Sequence, residues 1–346
     1  MKKVLYLAWI GFNNLGDEWM RAMFEQLAKL HLSPEEYQVI PSVPGVDIKD
    51  VTKYDTIVMG GGSLLIPGYL DILHDAVRQE KRVLIWGSGH DRLHSLSLGS
   101  HAPPESEGFC LKMREVVDHA AYCGVRGPWT FEYMRQMGVA MDRVTLSGDP
   151  AMLSSPPAAD SDDGQTGERW IGINWGTSYN RIYGKDEAYV EDQVASAARF
   201  LIEEGYKIYV YPAWGPDREA CKRLCNKIGA SDKVVYDAGV HSYEKYMQLI
   251  KGFDLTINFK LHASILSAAA NVPFICLGYR FKSFDFAHSI GLPQLAISTD
   301  ATQLAERIRY TAAYALANKR PIMEQIGSHR QAVKASLEKP FLERLF

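Results

Sequence analysis

This 346-residue chain has few cysteines, no surplus of either charge and no long apolar run. Five cysteines, an odd number, make no disulfide framework in so long a chain, and a reducing cytoplasm is the expected location. Lys plus Arg total 38 against 41 for Asp plus Glu, a formal charge of -3. No global field therefore draws in nucleic acid or an anionic membrane, and any anion site has to be built locally. No stretch approaches the roughly 18 consecutive apolar residues of a membrane span. Met1-Lys2-Lys3 leads straight into a short apolar run ended by Gly11, with no small-residue cleavage site, so neither secretion nor membrane insertion is expected. What is present is ordinary for a globular protein: 47% hydrophobic and 23% charged residues, enough for a sizeable core and, by length, about two domains.

Apolar runs of strand length recur, each followed by a Gly-rich or polar turn and a stretch of helical period, the βαβ rhythm. In the first half the strands are expected at 4–10, 38–43, 56–59, 82–86, 121–125 and 144–146, with helices at 18–30 and 129–137. Residues 154–169 (SSPPAADSDDGQTGER) have the composition of an exposed linker. The rhythm restarts with strands at 171–175, 207–211, 234–236, 255–258 and 274–277 and helices at 187–204, 243–251 and 263–270. Continuous apolar strands such as Val83-Leu84-Ile85-Trp86 argue for parallel sheets covered on both faces. The expected architecture is α/β: two doubly wound Rossmann-like domains, 1–153 and 170–300, facing a cleft, with a helical region at 301–346. Ligands of such sheets sit beyond the carboxyl ends of the strands, so the strand-to-helix loops are the place to look.

After the first strand comes Gly11-Phe12-Asn13-Asn14-Leu15-Gly16-Asp17-Glu18, in which Asp17 reads as a helix N-cap and Asn14 as a turn former, or both as site residues. It is neither a GxGxxG fingerprint nor a Walker loop. Gly60-Gly61-Gly62-Ser63 follows the third strand, and three successive glycines suggest close approach of a backbone or ligand. Gly87-Ser88-Gly89-His90 ends the next. Arg126, before Pro128, either offers a planar fork to an anion at that helix start or is a surface arginine. Asp149, held extended by Pro150, is expected to point outward from the sheet end. In the second half, Lys260 and His262 open a small-residue helix, and Arg280 and Lys282 add two cations at the next strand end. Trp9, Trp86, Trp175 and Trp214 fall at strand ends, where they either cap the core or stack on sugars. Cys221 and Cys225 read as core-facing thiols, and no metal is expected. His94 and His101 lie in the polar stretch 89–106, a candidate loop over the cleft.

The order of Gly11-x-x-Asn14-x-Gly16-Asp17-Glu18, Gly60-Gly61-Gly62-Ser63, Val125-Arg126, Gly148-Asp149-Pro150-Ala151, Leu261-His262, Val272-Pro273 and Lys282 resembles the polysaccharide pyruvyltransferase family over residues 4–292. The resemblance implies a two-domain fold similar to GT-B glycosyltransferases. It also implies transfer of the enolpyruvyl unit of phosphoenolpyruvate to a sugar, with a pyruvate ketal formed and phosphate released. Arg-Leu-His is usual in the family where this chain has Lys260-Leu261-His262, so one bidentate fork is replaced by a point charge. On this reading His262 is the acid or phosphate ligand, Asp17 or Asp149 the base, and Arg126 a catalytic anion contact. Asn14, Gly16, Gly61, Gly62, Ser63, Lys260, Arg280 and Lys282 bind substrate. The partners are phosphoenolpyruvate and a saccharide acceptor, lipid-linked or not, with peripheral membrane contact through the basic and aromatic 307–346 segment as one option and packing of that segment on the first domain as the other. No cofactor beyond the donor substrate is expected. The rivals are a nucleotide-sugar glycosyltransferase of the same architecture and a catalytically silent saccharide-binding protein.

Overall fold

The computed structural model describes residues 1–93, 105–154, 167–229 and 232–346. His94, His101 and most of the expected linker, 155–166, lie outside the described residues. The chain divides into two compact units: Met1–Leu153 with His329–Phe346, and Ser154–Ser328.

In the first unit the chain runs β1 (Lys2–Leu7), α1 (Leu15–His31), β2 (Tyr37–Pro41), β3 (Thr56–Met59), α2 (Tyr69–Arg78), β4 (Arg82–Ser88), α3 (Glu107–His119), β5 (Tyr122–Val125), α4 (Pro128–Gln136) and β6 (Thr145–Leu146). All six strands are parallel, in the order β2-β1-β3-β4-β5-β6. Thr56–Met59 and Tyr122–Val125 are buried at every position, which is why they read as unbroken apolar runs instead of alternating ones.

The second unit repeats the plan with β7 (Trp170–Asn174), α5 (Glu187–Glu203), β8 (Lys207–Tyr211), α6 (Arg218–Ile228), β9 (Val234–Tyr236), α7 (Tyr243–Lys251), β10 (Leu255–Asn258), α8 (Leu261–Ala269), β11 (Phe274–Gly278), α9 (Phe281–Ser289), β12 (Ala296–Ser298) and α10 (Leu304–Ala317). Its order is β12-β11-β10-β7-β8-β9, again all parallel. Both sheets are doubly wound, and in each the strand order reverses once, between β1 and β3 and between β7 and β10. At each reversal the strands end level, Leu7 opposite Met59 and Asn174 opposite Asn258. Connections leaving such a pair diverge to opposite faces and open a crevice at the carboxyl edge.

The expected closing region 301–346 is divided between the units. Helix α11 (Lys319–Leu342) starts in the second unit, and from His329 onward the chain belongs to the first. There Phe341 and Phe346 are each 1% exposed, Phe341 lies 5.2 Å from Phe24, and Trp86 Nε1 donates to the Leu337 carbonyl at 2.9 Å. These two aromatic rings are core residues and are not presented to a bilayer. Among the described residues no helix is long and apolar enough to cross a membrane.

Candidate active site

At the first reversal, β1 stops at Leu7 although the apolar run continues to Ile10. Ser42 Oγ accepts the Ala8 N–H and donates to the Ala8 carbonyl, both at 3.0 Å, which takes Ala8 out of the ladder. The chain then turns, and α1 begins at Leu15, earlier than the expected 18. Asn14 is its N-cap, with Oδ1 accepting the Gly16 N–H at 3.1 Å, so the capping role expected of Asp17 belongs to Asn14. Asp17 falls one turn in, 8% exposed, beside the glycine loop.

That loop is glycine for identifiable reasons. A Cβ on Gly60 would stand 2.3 Å from Tyr6 Oη, and one on Gly61 would stand 2.3 Å from Met20 Sδ and 2.9 Å from Pro150 Cγ. Gly62 takes φ +114, a region closed to other residues, and its Cβ would come within 3.1 Å of Asp17 Oδ1. Three glycines thus let Tyr6, Met20, Pro150 and Asp17 converge, and Ser63 follows half-buried. Burial, opposed by a hydrogen bond with the Gly61 backbone and reinforced by the charges of Asp17 and Asp149, pushes the Tyr6 phenol well above its ordinary value, so Tyr6 stays protonated.

Asp149 does not point outward. It is fully buried, and its Oδ1 accepts the Ala151 N–H at 3.0 Å in a short 3₁₀ turn. Gly148 makes this possible with φ +78, and a Cβ there would overlap Val333 Cγ2 at 2.3 Å. Arg126 is not a surface residue either: it is 1% exposed and its Nη2 donates to the His90 carbonyl at 3.1 Å. Gly89 is glycine because a Cβ would approach the Arg126 Cζ to 2.6 Å. His90, not singled out beyond its loop, is buried and stacked on Tyr133 at 3.8 Å, and its Nδ1–H donates to the Leu65 carbonyl at 3.0 Å. Burial brings His90 down to about 4, so the ring is neutral at physiological pH.

At the second reversal the loops bring basic side chains together with two carboxylates, Asp217 and Glu187. Helix α8 begins at Leu261, two residues earlier than expected, with Lys260 as N-cap and His262 half-buried in the first turn. Asn174, at the end of β7, fixes this start: Oδ1 accepts the Lys260 N–H at 3.0 Å while Nδ2 donates to the Tyr211 carbonyl at 3.1 Å. On the neighbouring strand end, Arg280 is the N-cap of α9, and Lys282 follows in its first turn with Nζ 5.5 Å from the Tyr279 ring centroid.

The Lys260 ammonium is engaged inside this unit. Nζ lies 3.1 Å from Asp217 Oδ1 and donates to the Thr177 carbonyl. Asp217 is fully buried and also accepts the Thr177 N–H at 3.0 Å. Burial pushes its carboxyl up, and the Lys260 ammonium pulls the other way. Gly176 makes room: a Cβ there would fall 2.3 Å from Asp217 Oδ1 and 2.8 Å from Lys260 Cε. Glu187 ties the same loop, accepting from Thr177 Oγ1 at 2.8 Å and from the Asn180 N–H at 3.1 Å. Neither Asp217 nor Glu187 carries a local signal, because the partners that define them come from other loops.

Of the four tryptophans expected at strand ends, Trp86 and Trp175 are core residues at 0% and 1% exposure, Trp214 is half-buried near Lys260, and Trp9 is 49% exposed. Cys221 is buried and Cys225 half-buried, and burial pushes the Cys225 thiol up to about 11.

The sequence model of the polysaccharide pyruvyl transferase family matches residues 14–280, from the N-cap of α1 to the N-cap of α9. The amylovoran biosynthesis protein AmsJ of Erwinia amylovora is 21% identical over 264 residues, covering 70% of this chain and 61% of AmsJ, so the chain spans about three-fifths of that relative. Among solved structures, the S. aureus MnaA–UDP co-structure superposes with a TM-score of 0.63 at 12% identity, covering 100% of this chain and 98% of that one. The UDP-GlcNAc 2-epimerase of Neisseria meningitidis bound to UDP-GlcNAc gives 0.59 at 11%, covering 98% and 100%. At such identity the likeness is one of fold, the GT-B-like pair of parallel-sheet domains.

Proposed function

The chain belongs to the polysaccharide pyruvyl transferase family, and from that premise we propose that it transfers the enolpyruvyl unit of phosphoenolpyruvate to a sugar of a cell-surface polysaccharide or its precursor. The observation that carries the reading is the α8 start at the β7/β10 reversal, where His262 sits at a helix N-terminus and Arg280 and Lys282 stand on the adjoining strand end, while the Lys260 ammonium is held by Asp217. A donor bearing both a carboxylate and a phosphate suits such a set, since oriented N–H groups and cations both favour anions.

In this reading the methylene carbon of phosphoenolpyruvate gains a proton, supplied by His262, as a sugar hydroxyl adds to the central carbon and loses its own proton. The carbon–oxygen bond to phosphate then breaks, phosphate leaves, and a second hydroxyl adds with loss of its proton to close the ketal. Asp17 is the better base of the two carboxylates, because Asp149 is sealed from solvent and one of its oxygens is bound to the Ala151 N–H. Arg126, buried and donating to the His90 carbonyl, is then a positioning residue for the glycine-lined loops. The phosphate ester supplies the leaving group, so the reaction as written calls for no redox or metal cofactor.

The test is phosphate release from phosphoenolpyruvate by the purified protein with mannose-, galactose- and N-acetylhexosamine-type acceptors. Acceptor-dependent release with a product heavier by one pyruvate less one water is expected. Silence combined with a UDP-induced rise in melting temperature would move the assignment to a nucleotide-sugar transferase. Saccharide binding without any turnover would make the chain a silent family member.

A further inference from the structure

Among the described residues, Trp9 and Phe12 are the only tryptophan and the only phenylalanine left exposed, at 49% and 53%. Scattered apolar side chains on a surface need no explanation. These two are not scattered: their rings touch, with centroids 4.8 Å apart and planes tilted by 34°, in the single turn that leads from β1 to Asn14 and Asp17.

The turn that carries them is braced at several points. Ser42 Oγ clips both backbone groups of Ala8, Glu18 Oε1 accepts the Gly11 N–H at 2.6 Å, and Gly11, at φ +86, is pressed so close to Pro44 that a Cβ would overlap Pro44 Cδ at 1.8 Å. Asn13 adopts φ +54, a left-handed conformation that asparagine tolerates. An aromatic pair held out on a pre-ordered turn loses little entropy when a ligand lands on it.

The chemistry around the pair selects the ligand. A pyranose ring has an apolar C–H face and an edge of hydroxyls. The turn offers aromatic faces at Trp9 and Phe12 and, next to them, the exposed amide of Asn13. Residues 8–18 contain two carboxylates and no lysine or arginine, the opposite of what an anionic bilayer attracts. We propose that Trp9 and Phe12 form the stacking platform for a pyranose of the saccharide acceptor, a role that rests on the acceptor reading of the neighbouring Asp17.

Calorimetric titration of the full chain with mannotetraose, galactotetraose and the tetramer of N-acetylglucosamine tests it. For the tightest of these probes, Trp9→Ala is expected to raise Kd at least tenfold and Phe12→Ala severalfold. Trp9→Tyr should stay within about threefold of the parent, and phosphoenolpyruvate affinity should be unchanged in all three. Unchanged saccharide Kd in the alanine variants, or no binding of any probe by the parent, overturns the platform. So does Trp9-dependent sedimentation with phosphatidylglycerol vesicles in place of saccharide binding. Trp9-dependent saccharide binding without ketal formation would keep the platform and remove the donor assignment. Ketal formation with an unchanged acceptor KM in Trp9→Ala would do the reverse.

Discussion

The two strand-order reversals share a topology and differ in nearly everything else. Between β1 and β3 the carboxylates of Asp17 and Asp149 and the Tyr6 phenol are buried under the loops, which are shaped by glycines whose absent side chains let Tyr6, Met20 and Pro150 close in. Between β7 and β10 the loops are shaped by an ion pair, Lys260 with the buried Asp217, and Arg280 and Lys282 stand at the start of α9 on the adjoining strand end. The parallel sheet supplies the place, and the loop residues decide which charge the place accepts. In the proposed reaction the first crevice receives the hydroxyl acceptor and the second receives the donor that bears a carboxylate and a phosphate.

The largest expected effect of breaking this contrast is at His262. His262→Ala should lower kcat by about 10³, within the usual reach of a general acid, while the melting temperature moves by only a few degrees, since the side chain is half-buried at a helix start. A large loss of stability with turnover intact would make His262 structural.

Lys260→Met comes next. It leaves Asp217 buried without its cation and should cost about 3 kcal/mol of stability at neutral pH. The sign of the pH dependence follows from the direction of the Asp217 shift. A carboxyl raised in the folded state gives its full contribution below the unfolded value of 3.8 and loses it as pH rises through the folded one. Removing Lys260 raises that carboxyl further, so the deficit should shrink as denaturation is repeated from about pH 7 down to about pH 5. A deficit that grew on acidification would contradict the pair.

The glycine-shaped crevice is probed by Gly148→Ala, which should cost about 2 kcal/mol, from positive φ and the overlap with Val333. Val333→Ala should recover part of it, and thermal denaturation of the two single variants and the double variant reads the coupling. Smallest is Asn14→Ala, about 1 kcal/mol for a lost N-cap, visible as a small drop in melting temperature.

Much of this architecture was legible because strands buried on both faces leave unbroken apolar runs: 56–59, 207–211 and 255–258 match β3, β8 and β10 to the residue. Boundaries set by side chains from elsewhere were not legible. The run to Ile10 gave no sign that Ser42 would take Ala8 out of the ladder, and Asn14 and Asp17 are equally good caps on paper. Among the site residues, the glycine loops and the Lys260–His262 start stood out through local composition. Asp217 did not, because its meaning comes from Lys260 and Thr177 on other loops. Nor is the burial of Asp149 marked locally: Pro150 restricts its backbone, but the 3₁₀ turn in which its Oδ1 accepts the Ala151 N–H leaves it fully buried.

The central claim is that the two crevices divide donor from acceptor, and equilibrium binding of phosphoenolpyruvate tests it most directly. The account predicts saturable binding to the parent, a loss of tenfold or more in both His262→Ala and Lys282→Ala, and unchanged affinity in Asp17→Asn. Affinity lost in Asp17→Asn but kept in the two second-unit variants would contradict it.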